Sequence, residues 1–158
     1  MLSYSFRLHK GGFAGLERRT PVLAVDIVTF LGEDKIVLIR RAGPPFKGFY
    51  AIPGGFVEYG ETVEDAAVRE MKEETGLDVK LLGIIGVYSK PNRDPRGHVV
   101  SIAYLAEAVA ESLKPSTETK EVKAFKIDEI PENLAFDHKD ILEDGIKNMQ
   151  TRKMTAED

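Results

Sequence analysis

The stretch from Gly54 to Val79 constrains this chain more than any other, because a glycine hinge, a helix start, an acidic helix and a helix stop follow one another without interruption. Thr62 with Asp65 three residues on is a capping-box type of start. Val63 to Thr75 then contains no breaker before Gly76, a natural stop, so the spacing predicts a helix over 63–75. That helix carries Glu70, Glu73 and Glu74 at i, i+3 and i+4, which puts their carboxylates on one face. At about 100° per residue the same face holds Val63, Ala66 and Ala67, the residues an amphipathic helix should bury. The acids therefore continue an apolar stripe instead of standing on the wet side.

Such an arrangement costs free energy. Like charges three and four apart repel by roughly 0.2–0.5 kcal/mol per pair on an exposed helix, and by more where water is scarce. The negative end of the helix dipole disfavours them further. Arg69 can pair with Glu73 at i+4, but one guanidinium does not neutralise three carboxylates. A bound divalent cation would, and oxygen ligands with no Cys or His among them point to Mg2+ or Mn2+. The plainer alternative is a solvated acidic helix, since acidic runs are common on helices.

The spacing decides between them. Gly55, Glu61 after five residues, and then, after seven more, Arg69-Glu70-Met71-x-Glu73-Glu74-x-Gly76-Leu77 match every fixed position of the Nudix box, G-x5-E-x7-R-E-U-x-E-E-x-G-U with U bulky and aliphatic. The chain resembles the Nudix hydrolases, a resemblance that implies an α/β/α sandwich with a mixed central sheet. It implies hydrolysis of a nucleoside diphosphate linked to another moiety, and a metal site to which the backbone carbonyl of Gly55 contributes. Glu70 and Glu74 are expected as direct ligands with Glu73 close by, and Arg69 joins Glu73 among the catalytic candidates.

The remaining residues fit one layered α/β domain over 21–150. Pro21 to Phe30 and Lys35 to Arg41 are rich in β-branched residues and read as strands joined by the turn at Gly32-Glu33-Asp34. Asp26 interrupts the first of these apolar runs and is read as a strand residue on a half-wet face. After the helix, Val79 to Ser89, His98 to Ala110 and Glu121 to Asp128 read as strands. Asp137 to Met149 reads as a helix with Ile141, Leu142, Gly145, Ile146 and Met149 on one face. Residues 151–158 are expected to fray, and residues 1–20 are an edge strand or an arm.

Composition excludes several classes. A net charge of −4 argues against a general nucleic-acid binder, and the absence of cysteine removes disulfide and thiolate chemistry. No apolar run approaches membrane-spanning length and no signal-peptide core is visible, so a cytoplasmic location is the expectation.

The substrate side is read from two loops. Arg40 to Phe49 combines Arg41 and Phe46 with further cations and aromatics just before the hinge, a mixture suited to a phosphate-bearing base or sugar. Lys90 to Gly97 offers Pro91 and Arg96, although Arg93, Asp94 and Arg96 could equally form a salt-bridged turn. His98 and His138 have plain packing and helix-end readings. The segment from Gly86 to Ser101, with Pro91 beyond the box, and Leu134-Ala135-Phe136-Asp137-His138 look like the ADP-ribose pyrophosphatase branch. That branch implies ADP-ribose cleaved to AMP and ribose 5-phosphate by a homodimer. Other nucleotide sugars, dinucleotides or nucleoside triphosphates are the alternatives. An inactive ADP-ribose-binding sensor is the alternative of another class, disfavoured by the intact acids and the lack of room for an appended DNA-binding domain. Glutamates committed to a metal are poor bases, so the polar segment 111–121 is expected to supply the general base, with Glu118 ahead of Glu121 and a box residue such as Glu73 third.

Overall fold

The computed structural model describes residues 19–110, 113–114 and 119–157. The arm before residue 19 and the candidate base Glu118 lie outside them. The elements run β1 (Val22–Leu31), β2 (Lys35–Arg41), β3 (Tyr50–Ala51), β4 (Gly54–Phe56), α1 (Val63–Thr75), β5 (Val79–Tyr88), β6 (Val99–Ala108), β7 (Thr119–Lys126) and α2 (His138–Ala156). One sheet has the order β3-β2-β1-β6-β5, with β4 also paired to β1 and β7 to β2. It is mixed: β1 and β6 are parallel from Val22↔Val99 to Phe30↔Glu107, whereas β5–β6, β2–β7 and β1–β2 are antiparallel.

β1 is the spine, and it is buried without a break from Ala24 to Phe30 because both of its faces are covered. Val25 and Ile27 pack with Ala66, Ala67 and Met71 of α1, while Val28 and Phe30 pack with Ile141, Leu142 and Met149 of α2. This is the expected α/β/α sandwich. Each fully buried Ile, Leu or Met side chain contributes about 1.5–3 kcal/mol relative to exposure. Gly145 lets α2 approach closely, since a Cβ there would lie 3.1 Å from both Val28 and Ile85.

α1 begins and ends where the sequence indicates. Asp65 N–H donates to Thr62 Oγ1 at 3.1 Å, and Gly76 closes the helix in the left-handed region at φ 74°. α2 departs from expectation, continuing to Ala156 instead of fraying after Met149. Its last turns are tied down, because Arg152 donates to the Leu82 carbonyl at 2.7 Å and Lys153 to the Glu33 carbonyl at 2.9 Å. Two charged side chains thus replace the apolar contacts that the sequence lacks there.

Candidate active site

The inner face of α1 is narrower than the three-acid pattern suggested. Ala66, Ala67, Met71 and Thr75 are buried on it. Glu70 and Glu74 flank that stripe and line a cleft of about 350 Å3. Glu73 does not: its side chain is 60 % exposed and turned to Arg69 at 3.2 Å. At 100° per residue, Glu73 lies 60° from Glu70 on the side away from Glu74, which is enough to carry it off the face.

Arg69 holds the acids in place. It donates to Glu61 through Nε at 2.6 Å and Nη2 at 3.0 Å, to Glu70 at 2.8 Å, and to the Phe56 carbonyl at 3.1 Å. The hydrogen bonds that Arg69 donates to Glu61 and Glu70 raise its pKa despite partial burial, and the bond from Arg69 lowers that of Glu61. The arginine of the box therefore binds the loop carboxylate more fully than it binds Glu73.

Opposite the helix stands the glycine turn. Gly54 N–H donates to Glu74 Oε2 at 3.0 Å. A Cβ on Gly55 would collide with the Glu70 carboxylate, and one on Gly54 would collide with the Val25 carbonyl and Asp26. Only glycines allow α1, the turn and β1 to come this close. Among the described residues no three carboxylate or imidazole groups converge as a metal cluster. The donor set that does fit a hard cation is Glu70, Glu74 and the main chain of Gly55, all oxygen, on the cleft wall that a Cβ would fill.

The other wall is cationic and aromatic. Arg41 lies over the Phe136 ring at 5.0 Å, and Arg96 lies between Phe56 at 5.3 Å and Phe136 at 5.7 Å. Burial and the like charge of Arg96 pull the Arg41 pKa down, with Glu74 and Asp94 opposing. Arg96 is held by Asp94 in two bonds of 3.1 and 2.8 Å. The salt-bridged turn and the cleft-lining reading of Arg96 are thus both realised.

Three expected substrate or catalytic residues lie elsewhere. Phe46 packs edge-on against Phe49 and Phe136, supporting the cleft from behind at 5.7 and 4.9 Å. Pro91 is exposed on its turn and does not line the cleft. Glu121 sits within β7 opposite Arg40 and accepts from Tyr50 Oη at 3.2 Å, because the strand starts two residues earlier than its pattern indicated.

The floor of the cleft is polar and buried. Asp26 is only 8 % exposed, so the half-wet reading is wrong. It accepts from Ser101 Oγ, stands 3.4 Å from His138 Nε2 and 3.6 Å from Arg93, and Arg93 is itself paired in two bonds with Asp137. Burial alone would raise the Asp26 pKa, but His138, Ser101 and Arg93 together hold it below its usual value. His138, expected as a plain helix-end residue, is buried here. The available signal was the charge itself, set in a run whose β-branched residues on both sides imply two-sided burial. The segment 134–138 also acquires a role: Leu134 bridges alongside Tyr50 of β3, which donates to the Asn133 carbonyl and accepts from Ala135 N–H, Phe136 roofs the arginines, Asp137 clamps Arg93, and His138 accepts from Ile52 N–H.

A layered α/β domain sets two helix carboxylates against a glycine turn, an all-oxygen arrangement suited to a divalent cation. The family model for the NUDIX domain matches residues 20–145, and the chain belongs to the Nudix family. An ADP-ribose pyrophosphatase from Methanocaldococcus jannaschii is 51 % identical over 127 residues, which is 80 % of this chain and 74 % of that protein. An ADPR responsive transcriptional repressor, NtrR, from Acinetobacter baylyi is 32 % identical over 84 % of this chain and 56 % of its own length. A MutT/nudix family protein from Enterococcus faecalis superposes with TM-score 0.76 at 30 % identity, covering 88 % of this chain and 66 % of the other. The NUDIX domain of Shewanella oneidensis NrtR, solved with ADP ribose, gives 0.71 at 25 % identity over 84 % and 90 %.

Proposed function

We propose that the protein hydrolyses ADP-ribose to AMP and ribose 5-phosphate with Mg2+ or Mn2+. The observation that carries this reading is a single cleft with Glu70 and Glu74 on one wall and Arg41 and Arg96 on the other. Anionic ligands for a cation face cationic ligands for a diphosphate, and the 51 % identical pyrophosphatase supports ADP-ribose as the substrate.

Glu70, Glu74 and the Gly55 carbonyl would hold the metal, which when bound screens the diphosphate and lowers the pKa of a water. Arg41 and Arg96 orient the phosphates, a role suited to guanidinium forks. Phe56 and Phe136 line the same cleft beneath the arginines and add apolar surface for the organic part of the substrate. Arg69 keeps Glu70 in register through its bonds to Glu61.

The general base belongs to this proposal as a loop carboxylate, with Glu118 first. Thr119, its neighbour in sequence, pairs with Arg41, which lines the cleft. Glu121 and Glu73 follow. A homodimer in the cytoplasm completes the reading, and sedimentation equilibrium tests the dimer. Among the described residues no helix is long and apolar enough to cross a membrane.

A second reading, binding of ADP-ribose without turnover, has the similarity to the repressor in its favour. A turnover screen of ADP-ribose, diadenosine polyphosphates, GDP-mannose, NADH and dNTPs with Mg2+ separates the readings. ADP-ribose should show the highest kcat/KM; binding without turnover would select the sensor, and preference for dNTPs would overturn the substrate.

A further inference from the structure

The turn that carries Gly55 is held in an unusual way. Across Ile52-Pro53-Gly54 only two main-chain N–H groups exist, because proline has none. Both reach side chains. Ile52 N–H donates to His138 Nδ1 at 2.9 Å, and Gly54 N–H donates to Glu74 Oε2 at 3.0 Å. One donor thus anchors the turn to the start of α2, and the other orients a carboxylate of α1.

His138 is itself fixed. Because Nδ1 accepts from an amide, the ring proton sits on Nε2, which faces Asp26 at 3.4 Å. Asp26 also supports the turn from below, lying so close to Gly54 that no Cβ fits between them. Arg93 and Ser101 satisfy the other side of the carboxylate. Main-chain pairing holds the other side of the turn, since β4 pairs with β1 from Asp26↔Gly54 to Ala24↔Phe56 and Ile27 N–H donates to the Pro53 carbonyl at 2.9 Å, which leaves Ile52 N–H and the aim of Glu74 to these side chains.

We infer that His138, oriented by Asp26, is a positioning residue for the metal-holding side of the cleft. It fixes Ile52 so that the Gly54 amide aims Glu74 and the Gly55 main chain lies against Glu70. This rests on the reading of Glu70 and Glu74 as metal holders. The Gly54 amide is one hydrogen bond removed from Glu74, His138 acts on it through Ile52, and loss of groups that orient a ligand in this way costs about 10–100-fold in metal affinity.

Two substitutions divide the histidine's functions. In His138→Asn a side-chain oxygen can stand where Nδ1 stands and accept from Ile52, while the reach to Asp26 is lost. In His138→Gln the amide can reach Asp26, but the acceptor beside Ile52 is lost. Amide hydrogen exchange at Ile52 and Gly54, followed by NMR on metal-free protein, reads the turn directly. Mn2+ binding by calorimetry without substrate reads the site, and steady-state kinetics on ADP-ribose read the consequence. For His138→Gln, exchange at both amides should quicken, Mn2+ affinity should fall about tenfold or more, and kcat should fall with little change in KM. His138→Asn should recover most of the protection and Mn2+ affinity. Wild-type Mn2+ affinity and protection in His138→Gln overturn the inference, as does an Asn variant that folds yet is as impaired as Gln. Should the Gln variant not fold, the Asn variant decides alone by the same two readouts. If Mn2+ binds wild type and Glu74→Gln equally, the metal assignment fails instead, and the exchange data still decide what His138 does for the turn.

Discussion

Gly54 and Gly55 are neighbours with opposite expected sensitivities, and replacing each by alanine separates site geometry from stability. Neither glycine occupies the left-handed region, so only the added methyl matters. At Gly55 the methyl meets the Glu70 carboxylate, the far end of a flexible side chain that can swing away. The cost is the 2.8 Å bond between Glu70 and Arg69, while Arg69 keeps both bonds to Glu61. A partly exposed pair of this kind is worth about 1 kcal/mol or less. That shifts Tm by about 2–4 °C in a chain of this size. The effect on turnover should be far larger, because Glu70 can no longer lie against the turn. Loss of one preorganised electrostatic group costs about 10²–10³ in kcat, roughly 3–4 kcal/mol of barrier. At Gly54 the methyl meets the Val25 carbonyl, main chain of the central strand that cannot swing. Overpacking there should cost about 1–3 kcal/mol or more of stability. Thermal melts and kcat across a Mg2+ titration give both quantities. A Gly55→Ala enzyme with wild-type kcat at the same Mg2+ would refute the placement of Glu70, and a Gly54→Ala protein melting at the wild-type temperature would refute the packing argument.

Glu74→Gln should leave the fold intact and lower kcat by about 10³; unchanged turnover sinks its role as a metal holder. Glu118→Gln and Glu121→Gln, compared by kcat against pH at saturating Mg2+, locate the base. The true one should lose orders of magnitude in kcat with KM nearly constant, and near-normal kcat in both returns the base to the box. Asp94 supplies a pH test. Burial would raise its pKa, but Arg96 and Arg93 hold it below the ordinary 3.8. A depressed carboxyl stabilises the fold above its unfolded pKa and loses that contribution as pH falls through the lower, folded value. Tm should therefore decline more steeply below pH 4 in wild type than in Asp94→Asn, and equal slopes would contradict the ion pair.

The order of elements was legible because each carries a local signal. Thr62 and Gly76 bound α1 through capping chemistry confined to a few residues, and β2 spans the expected Lys35–Arg41. What escaped the sequence depends on distant partners. Asp26 acquires His138, Arg93 and Ser101 from three other parts of the chain, and a pattern along one strand does not reveal them. The end of α2 is stabilised by Arg152 and Lys153 reaching carbonyls far away in sequence, so its polar composition read as a tail. Glu73 shows the limit of spacing: i, i+3 and i+4 share a face only loosely, and the 60° between Glu70 and Glu73 separates cleft from solvent. Phe46 packs on Phe136 and does not line the cleft, since loop composition says nothing of which ring faces it.

Product analysis tests the central claim most directly. With ADP-ribose and Mg2+, the protein should release AMP and ribose 5-phosphate in equal amounts with no inorganic phosphate, and Glu74→Gln should suppress both products together. ADP-ribose left intact under conditions where a dNTP yields pyrophosphate would contradict the account.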